Sequence, residues 1–368
     1  MRTVGVEEEL MLVNARTGEP FAVSSAVLAS AALRGDEAGE VFEKELHQEQ
    51  LEFSTQPLTD MAEMRKEIVR WRGEALRYAR ESDAVVAALA TSPVPVEPSR
   101  HRGERYRWMA EQFALTTKEQ LTCGCHVHVA VDSDEEGVAV LDRIRPWLYL
   151  LNALSANSPF WQGEDSGYSS YRSRVWNRWP SAGPYELFGS PDVYHQQVEA
   201  MVETGVLRDP GMIYFDARLS ANYPTVEIRV ADVCLEADTT VLIATLARGL
   251  VETAARAWRK GEPPAPVSAG LLRLASWRAA RSGLRGPLLH PLTLKETSVE
   301  AAYEALLDHV EEALADTGDL DDARKGIAAH LAHGGGADRQ RALRDEGLDL
   351  HEVVKACARI TTATEETE

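Results

Sequence analysis

Glu7 and Glu9 lie two residues apart in the stretch Thr3 to Leu12. On a β-strand, side chains two apart share a face roughly 7 Å from each other. Two bare carboxylates that close raise each other's pKa, and a bound divalent cation removes the penalty. Mg²⁺ favours oxygen ligands and keeps waters, so a few carboxylates plus nucleotide phosphates suit it. An acidic edge strand in solvent is the plainer alternative for this pair. Glu45 and Glu52 add acids in a strand-like stretch from Glu45 to Thr55. Their odd separation puts them on opposite faces of an ideal strand. Both serve one site only if a bulge or an irregular start to the strand intervenes, and Glu49 is an alternative member of the set.

His126 and His128 share one face of Cys125 to Val131, leaving Cys125, Val127, Val129 and Val131 on the other. Imidazole joins carboxylates around Mn²⁺ or Zn²⁺ more readily than around Mg²⁺. In Thr225 to Val230, Glu227 and Arg229 share the polar face. A guanidinium beside a metal-binding carboxylate can grip a phosphoryl group; the alternative is an exposed ion pair of little worth. Arg172, Arg174 and Arg178 follow the loop-like segment Ser155 to Gly163. They are candidates for binding phosphate or a substrate carboxylate, with surface charge as the competing reading.

These residues need a sheet whose polar face is open. In Thr3 to Leu12, the even positions Val4, Val6, Glu8, Leu10 and Leu12 make a mostly apolar face. Half-buried antiparallel strands alternate in this way, whereas central parallel strands are apolar on both faces. Between the strands, Asp60 to Ser82, Asp134 to Leu154 and Ala237 to Arg259 have helical periodicity, Asp60 being an N-cap. After the breaker Gly261 to Pro266, helices are expected over Val299 to Ala315, Leu320 to Leu331 and Asp338 to Leu343, with a turn at Gly334–Gly336. The expected class is α+β: a mainly antiparallel sheet with helices on its apolar face. One catalytic domain, 1–368, is expected, with a sheet-forming core at 1–260 and a mainly helical part at 267–360.

The chain has 368 residues, and 44% hydrophobic content suffices for a large core. A formal charge of -19, from 58 acidic and 39 basic residues, disfavours nucleic acid as a partner. The early glutamates rule against a leader peptide, and no apolar run has membrane-spanning length. Cys123, Cys125, Cys234 and Cys357 fit neither a disulfide framework nor a paired zinc motif. A cytoplasmic location follows as an expectation. Residues Thr361 to Glu368 are polar and expected to fray.

Together, several blocks resemble the type 2 glutamate–cysteine ligases, or carboxylate–amine ligases. They are Gly5–Glu9, Glu45-Leu46 with Glu52, His126–Val129, Ala153–Trp161, Pro224–Arg229 and Trp277–Arg281. Each is weak alone, but their order from residue 5 to about 281 is specific. The resemblance implies a curved antiparallel sheet forming an active-site funnel, with helices on its outer face, as in glutamine synthetase and the guanido kinases. It implies Glu7, Glu9, Glu45, Glu52, His128 and Glu227 as metal ligands. Arg229 and Arg172 would act on the phosphoryl group, and Trp277 and Arg278 would contact nucleotide. ATP and Mg²⁺, with Mn²⁺ as an alternative, would serve to join glutamate to an amine, cysteine by default. Ala275 and Ser276 depart from the family block, which carries a larger polar side chain before the tryptophan. A homodimer is the expectation for an enzyme of this size. A metal-dependent hydrolase built on the two histidines and a non-catalytic homologue are the competing functions.

Overall fold

Strand β1, Val4–Asn14, is the spine of the molecule. The computed structural model describes residues 1–35 and 37–363. Six further strands join β1 in the main sheet: β2 (Phe42–Glu43), β3 (Gln50–Ser54), β4 (Ala84–Ala87), β5 (Gly124–Ala130), β6 (Ala217–Leu219) and β7 (Thr225–Asp232). Their order is β2-β3-β1-β5-β7-β6, with β4 pairing the far half of β1. Every pairing is antiparallel, as the alternating strands require. Outside it, Phe160–Trp161 pairs with Glu164–Asp165, and Leu288–Leu289 with Glu296–Thr297.

The apolar face of the sheet is covered by helices. Helix Ala237–Arg259 packs on β1, β5 and β7 and against helix Met61–Arg80. Asp60 caps the latter, accepting from the backbone N–H groups of Ala62 and Glu63 at 2.7 and 3.0 Å. Glu8, on the covered face, is fully buried and meets the Arg72 guanidinium through two 2.8 Å bonds. Thr240 donates to the same carboxylate at 2.6 Å. A buried carboxylate on an apolar face is tolerable only with such a partner.

Two segments differ from the sequence reading. The periodic stretch Asp134 to Leu154 divides into helices Asp134–Ile144 and Leu148–Ser155, because Pro146 cannot supply an N–H and clashes with the preceding turn. A further helix, Leu350–Thr361, closes the described chain and packs beside β4. Thr361 is therefore buried and ordered, not frayed: its hydroxyl accepts from Ala88 N at 2.8 Å and its carbonyl meets Arg72. Residues 364–368 of that expected tail lie outside the described residues. Among the described residues no helix is long and apolar enough to cross a membrane.

Candidate active site

The open face of the sheet carries a row of cross-strand neighbours. Glu9 faces Glu52 between β1 and β3, and Glu7 faces His126 between β1 and β5. His128 faces Glu227 between β5 and β7, and Glu227 faces Arg218 between β7 and β6. A bulge in the β5–β7 ladder sets two β7 residues against His126, a device that re-aims a side chain next to a site. These side chains floor a cavity of about 320 Å³.

Glu45 reaches the cavity by an irregular start to the strand. The expected strand from Glu45 to Thr55 is shortened to β3, and Glu45 sits in the connection from β2. Its odd spacing from Glu52 therefore does not separate them. Glu49 turns elsewhere, with its carboxylate accepting from Ser99 N at 2.9 and 3.0 Å.

The acids gather in two groups. Glu9, Glu45 and Glu52 offer oxygens within 4.8 Å of one another, as do ligand atoms of Glu7, His126 and Glu227. The groups differ in charge balance. Burial and the Glu45 charge push Glu9 up to about 7, against the opposing pull of Arg172 and the Gly124 N–H. Burial, then Glu45, lifts Glu52 well above the carboxylate range; although part of Glu52 is open to the cavity, its packed surround solvates charge poorly. In the second group the shifts are reversed. Burial would raise Glu7, but hydrogen bonds and charge from His126 and His128 outweigh it and hold it low. Burial is likewise outweighed at Glu227 by Arg229 and Arg218. Burial and Arg229 lower His126 to about 4, so it stands neutral.

His128, the histidine implied by the resemblance, also lines the cavity. Its Nε2 is 3.2 Å from Glu7 and its Nδ1 2.9 Å from the Thr225 hydroxyl. His126 is the histidine grouped with Glu7 and Glu227; its Nδ1 is 3.2 Å from Glu7, and its buried Nε2 has no partner.

Arg229 bonds to Glu227, and its buried Nε has no acceptor. Arg172 is 2% exposed and stands behind the row, 3.9 Å from Asp232, its Nε also without an acceptor. Both arginines border a small recess containing Trp176 and Ser276. Trp277 and Arg278 are not brought to the cavity. Trp277 is 39% exposed and stands perpendicular to the Tyr168 ring, and Arg278 meets Glu296 at 3.4 Å.

Sequence reasoning missed Arg218, which grips Glu227 with Nε at 2.7 Å and Nη2 at 3.2 Å. It lies on a three-residue strand, too short for an alternation signal. It also missed the cavity's aromatic wall of Tyr106, Trp176, Trp179 and Tyr214. The spacing of Arg172 and Trp176 on one helical face was the available clue.

The description "Glutamate-cysteine ligase family 2(GCS2)" matches residues 3–361. A relative from Streptomyces avermitilis, named "Putative glutamate--cysteine ligase 2-1", is 64% identical over 98% of this chain and 99% of its own. One from Streptomyces coelicolor, "Putative glutamate--cysteine ligase 2", is 61% identical over 99% and 100%. Among solved structures, a Francisella tularensis glutamate–cysteine ligase in complex with AMP superposes with TM-score 0.69 at 12% identity, covering 99% of this chain and 89% of that one. A Pasteurella multocida bifunctional glutathione synthetase gives 0.71 at 16%, covering 98% and 52%. At such identities the likeness is one of fold, and it agrees with the sheet described above. By sequence, the chain belongs to glutamate–cysteine ligase family 2.

Proposed function

We propose that this protein is an ATP-dependent carboxylate–amine ligase that activates the γ-carboxylate of L-glutamate and joins it to an amine, L-cysteine by default. Two carboxylate-rich groups on one cavity, with two under-bonded arginines beside them, carry the reading. A carboxylate is a poor electrophile. Transfer of the ATP γ-phosphoryl to one of its oxygens releases ADP and gives an acyl phosphate. The amine then attacks the acyl carbon, phosphate leaves, and the amine gives up a proton.

The donor set fits divalent cations. The two groups contain five carboxylates and one histidine, a hard, oxygen-rich set suited to Mg²⁺, with Mn²⁺ as an alternative. That composition also weighs against a zinc hydrolase. Glu9, Glu45 and Glu52 would hold one ion, and Glu7, Glu227 and a histidine, His126 or His128, another. Bound there, divalent cations supply charge neutralisation for the phosphates. Arg229 has a free donor for phosphoryl oxygens, and Arg172 acts from behind on Glu9 and through its own unbonded Nε. Trp277 and Arg278 would contribute to nucleotide binding from the outer wall rather than the cavity. Four buried free cysteines support a reducing compartment, the cytoplasm, as its location. The acidic charge speaks against nucleic acid, and a homodimer is the proposed assembly.

The test is ADP release from purified protein with Mg²⁺-ATP and L-glutamate, with and without L-cysteine. Cysteine-stimulated release that both Glu7→Gln and Glu227→Gln abolish is expected. Failure to release ADP with any amino acid would overturn the reading.

A further inference from the structure

A second cavity, of about 580 Å³, adjoins the segment that carries Glu45 and is lined by Ser25, Leu28, Lys44, Gln48, His101 and Arg102. None of these six lines the reaction cavity. The second cavity meets the first turn of helix Ser24–Arg34, which has no acidic residue and no side-chain cap. Within that turn, Ser24 N–H donates to the Gln48 carbonyl and Ala26 N–H to the Val23 carbonyl, each at 2.9 Å. The Ser25 N–H has no acceptor among the described residues. A helix start left in this state carries partial positive charge and a free donor.

The side chains around this turn add charge of the same sign. Lys44 and Arg102 are exposed, and neither has an acidic partner among the described residues. Nearby arginines do: Arg105 pairs with Asp209, and Arg208 with Glu104. In a chain of formal charge -19, two unpaired cations on one hollow reverse the local potential. His101 is only 6% exposed. Its Nε2 is 3.2 Å from the Ser24 hydroxyl, and its Nδ1 has no partner among the described residues. Burial, then Lys44, lowers the pKa of His101 against an opposing pull from Glu45, so the ring stands neutral with one N–H. With Nε2 accepting from Ser24, Nδ1 carries that proton. Gln48 Oε1 accepts from the Ser25 hydroxyl at 3.2 Å, which leaves the Gln48 amide N–H groups free. The Ser25 N–H, Gln48, His101, Lys44 and Arg102 are thus all donors, and no carboxylate lines the cavity. So many donors suit phosphate, which has more acceptor oxygens than a carboxylate. The volume exceeds what a phosphate group alone needs, and Leu28 supplies apolar wall for the rest of a small molecule.

We infer that this second cavity binds the phosphate group of a small anion at the start of helix Ser24–Arg34, with Lys44, His101 and Arg102 as side-chain donors. The site is separate from the reaction cavity and stands independently of the ligase reading. It is tested by calorimetric titration of inorganic phosphate and of glycerol 3-phosphate into the full chain. Both are titrated in EDTA, where the carboxylate row of the reaction cavity repels phosphate. Wild type is expected to bind one anion per chain with a Kd of about 1 mM or below. Arg102→Ala and Ser25→Glu are expected to weaken binding by about tenfold or more. Both positions are exposed, and a glutamate at a helix start favours the helix, so lost binding there is not lost folding; melting curves check this. Arg229→Met, in the reaction cavity, is expected to leave binding unchanged. Tighter binding of glycerol 3-phosphate assigns the site to a phosphate ester, and equal or tighter binding of inorganic phosphate assigns it to the free ion. Wild type that binds neither overturns the inference. So does binding that persists undiminished in folded Arg102→Ala and Ser25→Glu, or that is lost with Arg229→Met alone.

Discussion

Glu9 and Glu52 face each other as directly paired residues of adjacent antiparallel strands, two carboxyl side chains in register on the open face of the sheet. Like charges so placed oppose folding, and burial, then the Glu45 charge, raises both carboxyls further. Glu52→Gln is therefore expected to stabilise the metal-free protein, by about 1 kcal/mol at pH 8, while abolishing activity. Mg²⁺ is expected to raise the melting temperature of wild type and to raise it less in the variant. Thermal melts with and without Mg²⁺ check both.

Gly124 lets Arg172 reach the back of the site. A Cβ there would overlap Arg172 Nη2 and lie 2.9 Å from Cζ. Because Arg172 is enclosed, it cannot swing aside freely. Gly124→Ala is expected to lower kcat by about tenfold or more, as small misplacements near the chemistry do. Its far-ultraviolet dichroism should stay near wild type. Steady-state kinetics with ATP and glutamate is the measurement.

Arg218 orients Glu227 through two bonds and is itself tied to the Gly211 and Ile213 carbonyls at 3.1 and 2.9 Å. Partners of this type are worth about 10–100-fold in metal affinity or activity. Arg218→Met should weaken Mn²⁺ binding, read by electron paramagnetic resonance without turnover, and should lower activity in parallel.

His309 stacks on Trp147 with ring centroids 4.0 Å apart, and burial lowers its pKa to about 4. An unfolded histidine titrates near 6.5. Between about pH 6.5 and 4 the unfolded chain holds a proton that this folded site refuses, so its contribution destabilises increasingly as pH falls. The slope is on the order of 1.4 kcal/mol per pH unit. Glu9 acts in the opposite sense, its pKa being raised on folding, so the histidine term is read as a difference. His309→Phe keeps an aromatic ring over Trp147, and its stability relative to wild type should improve as pH is lowered from 6.5. Urea unfolding at several pH values measures it.

The strands β1, β5 and β7 were legible because each alternates long enough to show period two, and with them came Glu7, Glu9, His126, His128, Glu227 and Arg229 on one face. Strands β2, β4 and β6 have two to four residues, less than a pattern needs, so Arg218 went unseen. Glu45 lines the cavity although its odd spacing from Glu52 argued for opposite faces; parity along a strand cannot reveal that Glu45 lies before the strand begins. What periodicity could not supply was tertiary: the Arg72 partner that lets Glu8 sit on the apolar face, and the packing that holds Thr361.

The central claim is that the carboxylate is activated by phosphorylation. L-glutamate labelled with oxygen-18 in its γ-carboxylate, turned over with Mg²⁺-ATP and L-cysteine, tests it most directly. Activation through an acyl phosphate predicts that one labelled oxygen passes to each inorganic phosphate formed. Phosphate free of the label, formed while product accumulates, would contradict the account.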